Sequence, residues 1–221
     1  MLIREVRIGC SDPEAADEFY GGLLGLSTAR ANESVRVTAG WTKLTLTRAE
    51  VIPGAQHLAF TIPRNRFAEA KDWLTDRLTL LRTDEADEFE CAPHWNARSL
   101  YFEDPDRNIL EFIIRRELPN ESTGTFSGAD ILGVSEVGVP VFDVSAFQDA
   151  TRTTLDLEAY GQGGPTFRPI GDVGGLLIAV ERGRSWFPTD RRAEVQPLEV
   201  TIESGVRAEL RANDSCVIRA R

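Results

Sequence analysis

Residues 4–26, REVRIGCSDPEAADEFYGGLLGL, align without gaps to residues 135–157, SEVGVPVFDVSAFQDATRTTLDL. Glu5 matches Glu136, Val6 matches Val137, Asp12 matches Asp143, and Leu24 and Leu26 match Leu155 and Leu157. Each copy reads as a strand, an Asp helix cap and an amphipathic helix, with Pro13 filling the first turn of the first copy. A chain that carries the same strand–helix unit twice must bury the same apolar faces twice, which confines it to a tandem architecture. Later strands echo as well: WTKLTLT (41–47) in GGLLIAV (174–180), and HLAFTI (57–62) in PLEVTI (197–202). After HLAFTI the pattern predicts a helix over 64–78, with Phe67, Ala70, Leu74 and Leu78 as its stripe, then strands near EFEC, RSLYFED and NILEFII. After PLEVTI only residues 203–221 remain, too few for another helix and three strands. The last unit is therefore expected to lack its helix and to end in a hairpin of VRAELRA and SCVIRAR.

Residues 117–130, ELPNESTGTFSGAD, are polar and rich in Gly, Ser and Thr, which marks 117–133 as a linker between a first domain (1–116) and a shorter second one (134–221). With 221 residues, 42% hydrophobic and 27% charged, the chain can bury a sizeable core. The net charge of −10 argues against nucleic acid or an anionic membrane as a partner. No apolar run is long enough to span a bilayer, and MLIREVRIGC is too short and charged for a signal peptide. Cys10, Cys91 and Cys216 are scattered, with no CxxC, as expected of reduced thiols in a cytoplasm.

Three residues point to chemistry. His57 opens one apolar strand, Glu111 lies inside another, and Glu5 lies on the first strand. On each strand the residue faces away from its most apolar neighbours (Val6 and Ile8, Leu58 and Phe60, Leu110 and Phe112), so the three can share one face while the apolar set packs under helices. One imidazole and two carboxylates suit a single divalent ion such as Fe, Mn, Zn, Ni or Mg, with open positions for water or substrate. The same residues admit a metal-free reading: a guanidinium from Arg7, Arg4 or Arg98 can bridge Glu5 and Glu111, and His57 can cap a strand.

EVRIGCSDPEAADEFYGGLLGL, HLAFTIP and LYFEDPDRNILEFI, in this order and spacing, resemble the vicinal oxygen chelate superfamily, which includes glyoxalase I, extradiol dioxygenases and bleomycin-binding proteins. The resemblance covers 1–116 fully and 134–221 as a degenerate copy. It implies an α+β fold: tandem βαβββ modules forming cup-shaped mixed sheets in two domains, the second truncated. It places metal ligands at the positions of Glu5, His57 and Glu111, with Glu5 departing from the family's usual His and Arg107 from its turn glycine. It also implies that the second copy holds no metal: Glu136 keeps the first position, but Pro197 stands where His57 stood, and SCVIRAR has no carboxylate. That half is expected to cover the first cup or to form a homodimer surface.

With only His57 and His94, the chain cannot supply the histidines of an extradiol dioxygenase site. A glyoxalase-like set fits better, although its fourth position falls on Thr45. Glu5 or Glu111 would move a proton, and Tyr101 matches a tyrosine held near substrate in the superfamily. Arg7, Trp95, Asn96 and Arg98 are the candidate substrate contacts. The expected function is a divalent-metal-dependent enzyme, of isomerase/lyase or dioxygenase type, acting on a small oxygenated molecule. The alternative is a metal-free small-molecule binding protein of the bleomycin-resistance type.

Overall fold

A computed structural model describes residues 1–221. The repeated units build two seven-stranded sheets. The first runs, from edge to edge, β13 (Ala208–Asn213), β14 (Cys216–Ala220), β12 (Leu198–Glu203), β1 (Leu2–Cys10), β4 (Thr42–Arg48), β3 (Ser34–Ala39) and β2 (Ser27–Ala31). The second runs β10 (Phe167–Asp172), β11 (Gly175–Glu181), β9 (Gly133–Val141), β5 (His57–Thr61), β8 (Ile109–Arg115), β7 (Ala97–Glu103) and β6 (Phe89–Glu90). Helix α1 (Pro13–Asp17) widens into a π-helical turn over Glu18–Leu23, and α2 (Phe67–Thr75) and α3 (Val144–Leu155) occupy the places the repeat predicts. The final unit has no helix and ends in the β13–β14 pair, as expected. No helix is long and apolar enough to cross a membrane, and all three cysteines are free.

The pairing of units differs from the sequence expectation. Neither sheet lies on one side of 117–133: the first unit joins the last through antiparallel β1–β12, and the second joins the third through antiparallel β5–β9. Residues 1–116 therefore contribute a half to each sheet. The physical reason is the connection after β4. It carries the chain to the other sheet, leaving the edge of β1 free for a strand some 190 residues later. The apolar faces of both sheets and the helices share one continuous core containing Val6, Ile8, Leu58, Phe60, Leu110, Phe112, Val137 and Val200. The polarity alternation had placed the first six of these correctly.

The segment 117–133 is packed rather than loose. Phe126 and Ile131 are buried in that core, and Ser127 and Asp130 cap a short 3-10 turn reciprocally. Gly128 lies against the Leu24 carbonyl so closely that any Cβ would collide with it.

The DPDRN turn between β7 and β8 locks the two sheets together. Asp104 is buried; it accepts from the Tyr20 hydroxyl (2.9 Å), from Asn108 Nδ2 (2.8 Å) and from the amides of Asp106 and Asn108. Burial raises its pKa to about 6 against the pull of those donors. Arg107 takes the left-handed conformation (φ 62°) where a glycine costs less. Asp104→Ala orphans Tyr20, Asn108 and two amides at once, and is expected to lower the unfolding free energy by about 3 kcal/mol. Urea denaturation checks this, and an unchanged midpoint would refute it.

Candidate metal centre and pocket

The cluster that forms is His57, Glu111 and Glu136, from the three central strands β5, β8 and β9. All three are buried, and one ligand atom from each lies within 4.8 Å of the other two. His57 Nε2 is 3.5 Å from Glu111 Oε2 and 3.8 Å from Glu136 Oε2. A β-bulge positions the third member. Ala59 pairs with Glu136 but Phe60 pairs with Val134, so Ser135 is an extra residue. The bulge turns Ser135 and Glu136 toward the same side, where Arg115 reaches both.

Each of the three side chains is held from behind. His57 Nδ1 lies 3.1 Å from the Ile109 carbonyl, which can only accept, so Nδ1 carries the proton and Nε2 faces the carboxylates. Ser99 Oγ bonds Glu111 Oε1, and the Arg115 guanidinium bonds Glu136 Oε1 and, at 2.8 Å, Ser135 Oγ. Both carboxylates therefore keep Oε2 free toward His57. Arg115 is fully buried, and its Nε has no partner.

Desolvation pushes the Glu111 carboxyl up to about 7, with the charge of Glu136 adding to the effect. Burial alone would lower the His57 pKa, but Glu136 and Glu111 more than offset it and the net direction is upward. Burial, then the charge of Glu111, keeps the Tyr101 phenol protonated. Burial also pushes the Cys91 thiol to about 12, which makes it a poor nucleophile.

Divalent-ion ligands at about 2.1 Å lie roughly 3–3.5 Å from one another. The two imidazole–carboxylate separations come within a few tenths of an ångström of this. The donor chemistry agrees: an imidazole with its lone pair turned inward, and two buried carboxylates carrying one fixed counter-charge, Arg115. The residues fit a divalent ion.

The cluster floors a cavity of about 340 Å³. Its walls are aromatic: Trp95, Tyr101, Phe167, Trp186 and Phe187. The SWFPTDRR loop forms one wall. Trp186 donates to the Ala55 carbonyl (2.9 Å) and lays its ring 5.4 Å from that of His57. Gly138 makes this possible, since a Cβ there would sit 2.5 Å from Trp186 Cη2. Phe187 is half exposed and meets Phe89 and Tyr101 edge-on.

Several expected site residues lie elsewhere. Glu5 belongs to the other sheet, where it is partly exposed and pairs with Arg221 at 3.2 Å. Arg7 is exposed on that same strand. Thr45 pairs with Arg7 there, and the corresponding position beside the cluster is Ile178, opposite Gly138. Arg98 turns to the helix-covered side, bonding Glu88 and lying 4.2 Å over the Phe67 ring. Asn96 closes a short turn with φ 46° and does not line the cavity. His57, Glu111, Tyr101 and Trp95 do line it.

Sequence reasoning missed Glu136, Ser99, Arg115 and Arg184. The repeat had already aligned Glu136 with Glu5, and Ser99 and Arg115 lie at even spacing from Tyr101 and Glu111. Those were the available signals. The registers expose a vestige of duplication. By pairing, Val217 corresponds to Glu111 and Arg221 to Arg115, so Glu5–Arg221 repeats Glu136–Arg115 without the imidazole or the second carboxylate.

Paired βαβββ units that build two mixed, curled sheets define the vicinal oxygen chelate fold. Solved structures with this architecture superpose over the whole chain. A Bacillus subtilis protein provisionally described as a dioxygenase matches with a TM-score of 0.63 at 15% identity, over 100% of this chain and 85% of its own. A single-residue variant of glyoxalase I from Zea mays matches at 0.61 and 10%, over 99% and 91%. Another Zea mays glyoxalase I structure matches at 0.56 and 13%, over 90% and 74%. At such identities the likeness establishes the fold. No protein-family model and no curated protein matches the sequence.

Proposed function

We propose that the protein is a divalent-metal-dependent enzyme of the lyase or isomerase type, with His57, Glu111 and Glu136 as its metal ligands. The observation that carries this reading is the shared orientation of His57 Nε2, Glu111 Oε2 and Glu136 Oε2. Each is turned toward the other two while its second polar atom is held by Ile109, Ser99 or Arg115. When bound, the ion would act as a Lewis acid on an oxygen of a small oxygenated substrate. The protonated Tyr101 hydroxyl can donate to a substrate oxygen. Trp186 and Phe187 line the space above the floor with apolar surface. His94 does not line the cavity, so the site offers a single imidazole. This favours lyase or isomerase chemistry over a dioxygenase built on two histidines and one carboxylate.

Elemental mass spectrometry tests the reading on protein purified without added metal and after reconstitution with Mn, Fe, Zn or Ni. The expected result is near-stoichiometric metal in the wild type and none in His57→Ala. No metal in either protein would leave the second reading, a metal-free binding pocket, which the aromatic walls and the Arg115 counter-charge support.

A further inference from the structure

One charge in the pocket has no assigned role. Beyond the floor cluster, Arg184 is the single charged side chain lining the cavity. It is exposed, and its guanidinium carbon lies 5.0 Å over the Phe167 ring. Its neighbours in the covering loop are all engaged: Arg182 pairs with Glu194 at 2.8 Å, Arg191 pairs with Glu103, and Arg192 donates to the Gly183 carbonyl at 2.6 Å. Arg184 makes no ion pair and no side-chain hydrogen bond. In a chain with net charge −10, a guanidinium left without a carboxylate and turned onto a pocket is available to a ligand.

The cavity thus has three chemically distinct parts. The floor presents inward-facing ligand atoms, the walls present flat aromatic faces, and the rim presents one planar cation. At about 340 Å³ the volume lies at the lower end for small-molecule sites and fits a single-ring molecule. Flat walls favour a planar apolar body. A rim guanidinium favours a carboxylate, which it can engage through two parallel N–H donors. The acidic floor does not reverse this preference, because Arg115 pairs with Glu136 from behind, His57 faces both carboxylates, and all four are buried together.

We propose that the substrate is a planar, single-ring-sized molecule with oxygens at one end for the floor and a carboxylate at the other, bound by Arg184. The oxygen end rests on the metal-site reading; the carboxylate end does not.

Calorimetric titration separates the two. Manganese-reconstituted protein is titrated with benzohydroxamic acid, whose adjacent oxygens chelate metal, and with its para-carboxy and para-aminomethyl derivatives. Metal-free protein is titrated with 4-methylbenzoate and 4-methylbenzylamine. The carboxylate member of each pair is expected to bind about tenfold more tightly, the size of one charge-assisted contact. Arg184→Gln, an exposed position, is expected to erase that difference. If benzohydroxamic acid binds but neither pair shows the preference, the Arg184 site is refuted while the metal reading stands. If only the benzoate preference appears and depends on Arg184, the carboxylate site stands and the metal reading falls. A preference that persists in Arg184→Gln, or no binding of either acid at millimolar concentration, overturns the proposal.

Discussion

Glu136→Gln is expected to lower divalent-metal affinity by at least about 100-fold, because removal of a ligand exceeds the 10- to 100-fold cost of removing a group behind one. Glu5→Gln is expected to leave affinity unchanged. Glu5 and Glu136 are equivalent in the repeat, and on sequence alone either could complete the cluster. The sheets decide between them: β9 lies beside β5 and β8, whereas β1 lies between β12 and β4. Each variant changes one carboxylate to an amide of the same shape. Glu136→Gln keeps an oxygen that can accept from Arg115, so the fold should survive for the comparison. Equilibrium titration with Mn or Zn reads the effect. Equal losses in the two variants would mean that the β5–β9 pairing does not describe the protein in solution.

The second large effect concerns stability. Arg115→Met is expected to lower the unfolding free energy by about 3–5 kcal/mol, because it leaves Glu136 buried without its counter-charge. Arg115 has no exposed surface, and Glu136 is nearly as buried, so solvent cannot replace the lost partner. The double variant Arg115→Met/Glu136→Leu removes both charges and is expected to recover most of the loss, since a buried ion pair contributes little beyond its own desolvation cost. Urea denaturation of the three proteins measures this. Single and double variants of equal stability would show that Arg115 acts through packing, not charge. Metal content of the single variant adds a check, since Glu136 Oε2 loses the anchor on its other oxygen.

Much of the fold was legible from local pattern. The alternation of Val6 and Ile8, Leu58 and Phe60, and Leu110 and Phe112 has one physical solution, with these residues under helices and the intervening polar ones on the other face. The Asp12 and Asp143 caps, the DPDRN turn and the missing last helix follow from equally short-range rules. Strand alternation likewise put His57 and Glu111 on one face; Tyr101, which the family resemblance supplied, and Trp95, on the loop before its strand, line the same cavity. The caps, the turn and the two alternating residues depend on strand periodicity and on neighbours in the chain, and both are written in the sequence.

Which units share a sheet was not legible, and the site depends on that choice. Hydrogen bonding between strands is backbone chemistry, so the edge of β5 accepts β1 or β9 with no signal in the side chains of a single sequence. Taking neighbouring units as partners put Glu5, Arg7 and Thr45 in the site and left Glu136 and Ile178 out. The observed pairing reverses each of these placements. The bulge at Ser135, the reach of Arg115 across two strands and the descent of Trp186 onto His57 through the space at Gly138 are likewise long-range facts. The sequence by itself determined the units, their apolar faces and most of the chemistry each can offer. The tertiary structure alone decided which of two equivalent glutamates faces the imidazole, because strand partnership is selected by the packing of the whole core and not by any local run of residues.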